Sequence, residues 1–266
     1  MTVYLGTLGR MIPIYSTPSA QLEIEDRFNF KRTIEGRRKA EVIPGGRRAW
    51  SLNAQFADPA ESATLQEFTN GSWGRGPFWF VSADASVTNL LTPAAASCDP
   101  ASVVMSSGAT LLGSPPLLTP DGWAARSVWK DTVNGAFFGG AVPVLAGRVV
   151  TGSAYVAGSG GFVRLLFLNA AGAVVSQVDS VAATTAVARR SVSALPPAGA
   201  VSARLTVTAS VTAAARPAIS WTDSVQPYGD GQGCEKAVVH SVSRDQVLAV
   251  VGHTFSNVSF TVTEVG

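Results

Sequence analysis

The 266-residue chain has few of the residues from which catalytic sites are usually built. It contains two histidines and two cysteines, and no glutamate lies between Glu67 and Glu235. A nucleophilic site needs a base beside the nucleophile, but only His240 and His253 are available and no serine lies in a G-x-S-x-G motif. Glycoside cleavage needs two facing carboxyl groups, and the glutamate-free stretch offers only aspartates. We therefore expect no enzymatic activity, no metal ion and no cofactor.

The chain also has no excess of charge and no long hydrophobic run. A net charge of +2 argues against a general nucleic-acid binder. No run of 18 apolar residues is present to span a membrane, and the N-terminal segment has no apolar core of a signal peptide. We expect a protein that is made in a cytoplasm and has neither a membrane nor a specific nucleic acid as its partner. A hydrophobic content of 46% is enough for two ordinary cores.

The two cysteines, Cys98 and Cys234, enclose a block of different composition. Only 14 of the 38 charged residues lie in this block. The 32 residues after it are too few for a core of their own, so their strands need partners from the first part of the chain. The sequence therefore predicts an outer domain made of residues 1–97 and 235–266, with residues 98–234 inserted into it. Cys98 and Cys234 would then lie close together, as candidates for a disulfide that a reducing cytoplasm disfavours.

The outer pieces have the patterns of strands and one helix. The predicted strands are residues 21–30, 50–56, 76–81, 237–242, 246–251 and 258–263. Asp58 as N-cap, Pro59 at the first helical position and Gly71 after the last turn predict a helix of about three turns.

A basic arm lies between the first two of these strands. Its seven lysines and arginines are Lys31, Arg32, Arg37, Arg38, Lys39, Arg47 and Arg48. A long exposed hairpin arm fits this segment. The arm is either solvated or in contact with another subunit, or it touches a nucleic acid or another anionic partner, although no aromatic residues are interleaved with its charges.

The inserted block has the pattern of an all-β sandwich or jelly roll. Strands are predicted at residues 149–156, 162–168, 174–178, 204–211 and 219–225, separated by turn residues and without a helical period. Trp221 shares a face with Ile219 and Val225, which indicates a core residue.

Four aromatic residues lie in an irregular part of this block, where loops could present them to solvent. Sugars stack on exposed aromatic rings and need no acid or base for binding. The alternative is that the four rings cap the core of the sandwich. The candidate glycan-binding residues are Trp123, Trp129, Phe137 and Phe138.

The outer pieces resemble the minor tail proteins of long-tailed phages that infect actinobacteria, which are related to distal tail proteins. The resemblance lies in residues 50–52, Leu65, Phe68, 74–80 (GRGPFWF), 89–93 (NLLTP) and 260–266 (FTVTEVG). It implies a ring of identical subunits, with six favoured, between the tail tube protein and the tail tip or hub proteins. The location that it implies is the tail tip of the virion.

The inserted block is similar to the jelly rolls of carbohydrate-binding modules. The matching residues are Tyr155, Val156, 166–172 (LFLNAAG), 189–192 (RRSV), 197–200 (PAGA) and 221–226 (WTDSVQ). Trp221 stands where that family has an aspartate, so we expect no metal site.

These observations predict a mainly β protein, with a discontinuous β-sandwich outer domain that has one helix and an inserted jelly roll. The function expected is a structural one in a phage tail, with an outward sandwich domain that either binds host surface glycans or decorates the particle without a ligand. The alternatives are a stand-alone glycan-binding protein and an accessory protein of polysaccharide degradation.

Overall fold

The computed structural model describes residues 2–15, 21–24, 28–32, 38–42, 48–105, 111–113, 115–130, 135–225, 228–250 and 253–265. The chain is mainly β, with several antiparallel sheets, and the predicted fold class is confirmed. The residues group into two units. The terminal unit consists of Met1–Val3, Pro13–Phe80 and Glu235–Gly266, and the sandwich unit consists of Tyr4–Ile12 and Val81–Cys234.

The strands before the first helix are β1 (Thr2–Thr7), β2 (Arg10–Tyr15), β3 (Gln21–Ile24), β4 (Phe28–Arg32), β5 (Arg38–Val42) and β6 (Arg48–Ala57). There follow α1 (Pro59–Asn70), β7 (Phe78–Val81), α2 (Ala83–Val87), α3 (Pro93–Ala96) and a 3-10 turn at Pro100–Ser102. The next strands are β8 (Val103–Met105), β9 (Leu111–Gly113), β10 (Leu117–Leu118), β11 (Ala124–Ala125), β12 (Ser127–Lys130), β13 (Ala136–Phe138) and β14 (Val142–Pro143). The last are β15 (Val150–Gly158), β16 (Val163–Leu168), β17 (Val174–Asp179), β18 (Ala188–Ala194), β19 (Ser202–Val207), β20 (Val211–Ser220), β21 (Cys234–Val250) and β22 (His253–Glu264).

Within the terminal unit, five strands lie side by side in the order β7-β21-β22-β6-β3, and β4 and β5 form a separate two-stranded sheet. As predicted, the final strand pairs with an N-terminal one, because β22 is antiparallel to β6, with Phe260 opposite Leu52. Three predicted strands differ. The predicted strand 21–30 contributes residues to both β3 and β4. The predicted strands 237–242 and 246–251 both contribute residues to β21, whose register shifts between His240 and Ser243.

Helix α1 begins and ends where the sequence indicates. The Asp58 side chain accepts a hydrogen bond from the Glu61 amide, and Gly71 ends the helix in the left-handed conformation, with φ of 82°. Leu65 and Phe68 are its buried apolar residues. The short helices α2 and α3 were not predicted, although Ser82 and Thr92 cap them by accepting hydrogen bonds from backbone amides three residues later.

The sandwich unit contains two larger sheets. One has the order β18-β15-β20-β12-β9, and the other has the order β17-β16-β19-β13-β8 with β14 also paired to β19. The prediction of one strand over residues 204–211 is wrong, since β19 ends at Val207 and β20 begins at Val211, with a left-handed Ser210 between them. Trp221 is buried as predicted, and its indole donates a hydrogen bond to the Pro143 carbonyl.

The side chain of Asn89 links the segment that follows β7 to β20 and to the segment that follows β20 by hydrogen bonds. The amide nitrogen of this fully buried side chain donates to the carbonyls of Pro217 (3.1 Å) and Gly229 (3.3 Å). Its oxygen accepts from the amides of Leu91 and Ile219, both at 3.1 Å. The segment after β7 therefore packs within the sandwich unit, and the division between the units falls at Phe80 and Val81 instead of at residues 97 and 98.

Candidate functional site

The most exposed of the four candidate aromatic residues is Trp123. It lies in the tight loop between β10 and β11, where 63% of its surface is open to solvent. The Thr119 amide donates to the Trp123 carbonyl (2.9 Å), and Gly122 turns the chain with φ of 85°. A closed loop that holds a large exposed ring can present that ring to a ligand.

The other three candidates lie on strands, Trp129 on β12 and the two phenylalanines on β13 of the other sheet. The indole of Trp129 donates to the Pro115 carbonyl (3.1 Å) and the Ser127 hydroxyl (2.9 Å), and its ring packs on a cluster of buried residues that includes Leu117. Phe137 lies on β13, in the other sheet, under the guanidinium of Arg204 at 5.5 Å.

Phe138 requires a correction. Its side chain is 0% exposed, because it alternates with Phe137 along β13 and points to the opposite side. A ring without exposed surface cannot stack on a sugar, so Phe138 belongs to the core.

The ring of Trp123 lies beside an arginine that a β-bulge brings to this place. Tyr155 of β15 faces Ala215 of β20 while Ser153 faces Ala218, so Arg216 and Pro217 together oppose one residue. Arg216 has φ of 48°, a left-handed conformation that is costly for a residue with a side chain. Bulges often redirect side chains at functional sites.

Arg216 connects two aromatic rings and a carboxylate. Its guanidinium carbon lies 4.8 Å from the ring centre of Tyr228 and 5.9 Å from that of Trp123. Its Nη1 is 3.6 Å from Oδ2 of Asp121, in the same loop as Trp123. Such cation–π contacts hold planar groups in fixed positions.

A second arginine lies on β18, which is separated from β20 by β15. Arg189 on β18 is directly opposite Tyr155 on β15, and its guanidinium lies 5.4 Å from the centre of the Tyr155 ring. Its Nη2 donates to the Ser153 hydroxyl at 2.9 Å. We call the following residues the arginine–aromatic cluster: Asp121, Trp123, Tyr155, Arg189, Arg216 and Tyr228.

The electrostatics of the cluster follow from this arrangement. The Thr119 hydroxyl, with smaller contributions from Arg216 and the Tyr155 hydroxyl, holds the pKa of Asp121 below its usual value. Burial lowers the pKa of Arg189, and the nearby charge of Arg216 adds to that effect. Burial raises the pKa of Tyr228. At neutral pH the cluster therefore contains two guanidinium groups, one carboxylate and three aromatic rings.

Trp123 is the one member of this cluster that was predicted from the sequence as a site residue. Tyr155 and Arg189 were among the residues that resemble carbohydrate-binding modules, which was the available signal. Arg216 has no sequence signal beyond the Pro217 that follows it, since the bulge depends on the pairing of β20 with β15.

The arm predicted at Lys31 to Arg48 is present in part as a hairpin of β4 and β5. In its backbone register Lys31 is opposite Lys39 and Arg32 is opposite Arg38. Arg37 and Arg47 lie outside the described residues. Their role in assembly stays a prediction.

Arg48 does not belong to an exposed arm. It is the first residue of β6, its side chain is 8% exposed, and it forms two hydrogen bonds to Glu264, from Nε to Oε2 (2.8 Å) and from Nη2 to Oε1 (2.9 Å). The guanidinium also lies over the ring of Trp50, at 5.2 Å. A charge that is paired and buried in this way is not available to another subunit.

The two cysteines are buried thiols without a disulfide. Burial raises the pKa of Cys98 to about 12. His240 is exposed, with its two ring nitrogens 2.9 Å from the Ser241 hydroxyl and 2.8 Å from the Thr263 hydroxyl.

Within the described ranges, no group of three or more histidine, cysteine, aspartate or glutamate residues is placed to hold a metal ion. Among the helices in the described part of the chain, none is both long and apolar enough to cross a membrane.

No protein-family model and no curated protein matches the chain. Among solved structures it is similar to the enzymatically active domain of tailspike protein 4 of bacteriophage CBA120, at 12% identity and a TM-score of 0.39, over 50% of this chain and 21% of that one. It is also similar to the N-terminal CBM22-1 and GH10 modules of endo-1,4-β-D-xylanase 10B of Clostridium thermocellum, which were solved with xylohexaose. The identity there is 11% and the TM-score 0.36, over 52% of this chain and 28% of that one. The chain spans less than a third of either protein's length, and likenesses this weak carry no functional argument.

Proposed function

We propose that this chain is a structural protein of a phage tail, which assembles through its terminal unit and binds host glycans through its sandwich unit. The assembly that we propose is a ring of six identical subunits, a number taken from the family resemblance. This ring contacts the tail tube protein and the tip or hub proteins. The protein is made in the host cytoplasm, resides at the tail tip of the virion and performs no catalysis.

The observation that carries the assembly part is the long hairpin of β21 and β22. Strand β21 has 17 residues. On the edge that does not pair with β22, its neighbour in the sheet is β7, which has four residues. β7 is therefore too short to cover that edge of β21. Residues 243–249 are all exposed, including the apolar Val247 and Leu248. Exposed strand edges with apolar residues favour pairing with another chain.

The oligomeric state of the full chain tests this part. We expect size-exclusion chromatography with light scattering to find an oligomer, and expect Val247→Lys with Leu248→Lys to yield monomers, because charges on the hairpin oppose pairing. A matched control is Val174→Lys with Val175→Lys, which places the same charges on exposed residues of β17. A wild-type chain that stays monomeric at high concentration, or an equal effect of both variants, would contradict the assembly proposal.

The observation that favours glycan binding is the exposed ring of Trp123 beside Arg216. We expect the full chain to bind isolated actinobacterial cell walls, and expect Trp123→Ala to abolish that binding, because stacking needs the open ring face. Leu118→Ala is the control, since Leu118 is equally exposed in the same small hairpin. A pull-down with cell walls measures the bound fraction, and binding that survives Trp123→Ala would contradict the assignment.

The two alternatives make different predictions. A stand-alone glycan-binding protein would bind cell walls as a monomer, so the two assays above separate it from a tail protein. An accessory protein of polysaccharide degradation would promote release of soluble sugars from the walls, which the tail proposal does not predict.

A further inference from the structure

We propose that the arginine–aromatic cluster recognises an acidic glycan, in which a carboxylate or phosphate on the sugar pairs with Arg189 while a sugar ring stacks on Trp123. This inference rests on the proposed glycan binding and names the class of sugar.

Arg189 is a half-buried cation that lacks a counterion. Among the described residues, no carboxylate lies within ion-pair distance of its guanidinium. Its Nε is buried without a hydrogen-bond partner, its Nη2 donates to the Ser153 hydroxyl (2.9 Å), and the Tyr155 hydroxyl also interacts with the guanidinium. An unpaired guanidinium that is partly removed from water is costly, and an anionic group with two acceptor oxygens would satisfy its remaining donors.

Arg216 has a different role from Arg189. It already has Asp121 at 3.6 Å and lies near the rings of both Trp123 and Tyr228. We therefore assign Arg216 to positioning the Trp123 ring, while its charge adds to the positive potential around Arg189.

The other arginines of the sandwich unit do not combine these features. Arg164 is paired to Asp179 by two hydrogen bonds. The Nη1 atom of Arg126 lies 3.6 Å from Oδ2 of Asp99. Arg190 and Arg204 also have an Nε without a partner, but Arg190 alternates with Arg189 along β18 and points to the opposite side, and Arg204 covers the ring of Phe137 on the other sheet. Arg204 is therefore the matched control.

The residues next to Arg189 in the sheet are small and buried, with Ser153 3% and Ala218 6% exposed. In the row of the sheet adjacent to Tyr155 and Arg189, Ser153 faces Ser191 on one side and Ala218 on the other.

Two pairs of polysaccharides that differ only in charge test the proposal with the full chain. The pairs are polygalacturonate with its methyl ester, and phosphorylated mannan with neutral mannan. Affinity electrophoresis and calorimetry measure the dissociation constants. We expect at least one acidic member to bind about tenfold or more tightly than its neutral partner, the size expected for charge-assisted hydrogen bonds. The pair that shows the effect tells whether the anion is a carboxylate or a phosphate.

Variants assign this preference to residues. Arg189→Gln should reduce the ratio of acidic to neutral affinity to about one, Arg189→Lys should restore part of it, and Arg204→Gln should leave it unchanged. Trp123→Ala should weaken binding to both members of a pair. The melting temperature of each variant serves as a check on folding.

Equal affinity for acidic and neutral polymers, no binding of either acidic polymer, or a preference that survives Arg189→Gln would overturn the inference. In each case, cell-wall binding that depends on Trp123 would leave the proposed glycan binding intact. Loss of that binding as well would remove the proposed function.

Discussion

The pair of Arg48 and Glu264 joins the N-terminal part of the terminal unit to its last strand, and its removal gives a sharp prediction. The two residues are 216 positions apart in the chain. Arg48→Ala removes a charge that is buried against Trp50 and leaves the carboxylate of Glu264 without its partner.

The magnitude follows from burial. Breaking a fully buried ion pair by removing one partner costs about 3–5 kcal/mol. The side chain of Glu264 is 24% exposed, so water can partly solvate the carboxylate that remains. We therefore expect Arg48→Ala to lower the free energy of unfolding of the terminal unit by about 2–3 kcal/mol.

Arg164 provides the matched comparison, because it forms the same two-bond contact with Asp179 but is more exposed. The side chains of that pair are 28% and 32% exposed. Exposed ion pairs contribute about 0–1 kcal/mol, so Arg164→Ala should have a small effect.

Urea unfolding monitored by tryptophan fluorescence would measure both variants. Because the chain has two units and need not unfold in one step, hydrogen exchange of β6 and β22 amides should be followed as well. Equal losses of stability within about 0.5 kcal/mol for the two variants would refute the reasoning from burial.

Two further predictions concern buried groups of the sandwich unit. Asn89→Asp should destabilise the protein by about 3 kcal/mol or more at neutral pH, since a carboxylate would replace the amide that donates to the carbonyls of Pro217 and Gly229, and a thermal melt with Asn89→Ala for comparison would measure this. Cys98 and Cys234 should react with Ellman's reagent at pH 8 only after unfolding, because both are buried and the pKa of Cys98 is about 12, so the thiol stays protonated in the folded state. Two thiols that react quickly in the native protein would contradict the burial, and none after denaturation would indicate a disulfide.

Local patterns of the sequence predicted those elements that depend on neighbouring residues. Helix α1 was found from its caps, because Asp58 and Gly71 act within one turn of the helix ends. The pairing of the last strand with an N-terminal one followed from chain length alone, since 32 residues cannot form a core.

Residues whose role depends on distant partners were misplaced. Arg48 was predicted to be part of an exposed basic arm. Its burial depends on pairing with Glu264, which comes from the other end of the chain. Phe137 and Phe138 are indistinguishable as neighbours in the sequence, and the pleat of β13 sends one to the core and leaves the other partly exposed.

The sequence by itself determined the mainly β class and the capped helix, because periodicity and turn chemistry act over a few residues. Only the tertiary structure decided the composition of the candidate site. Trp123, Tyr155, Arg189 and Arg216 come from four separate segments, and it is strand register and the bulge at Arg216 that bring them together. Register is a property of paired strands, so no single segment contains it.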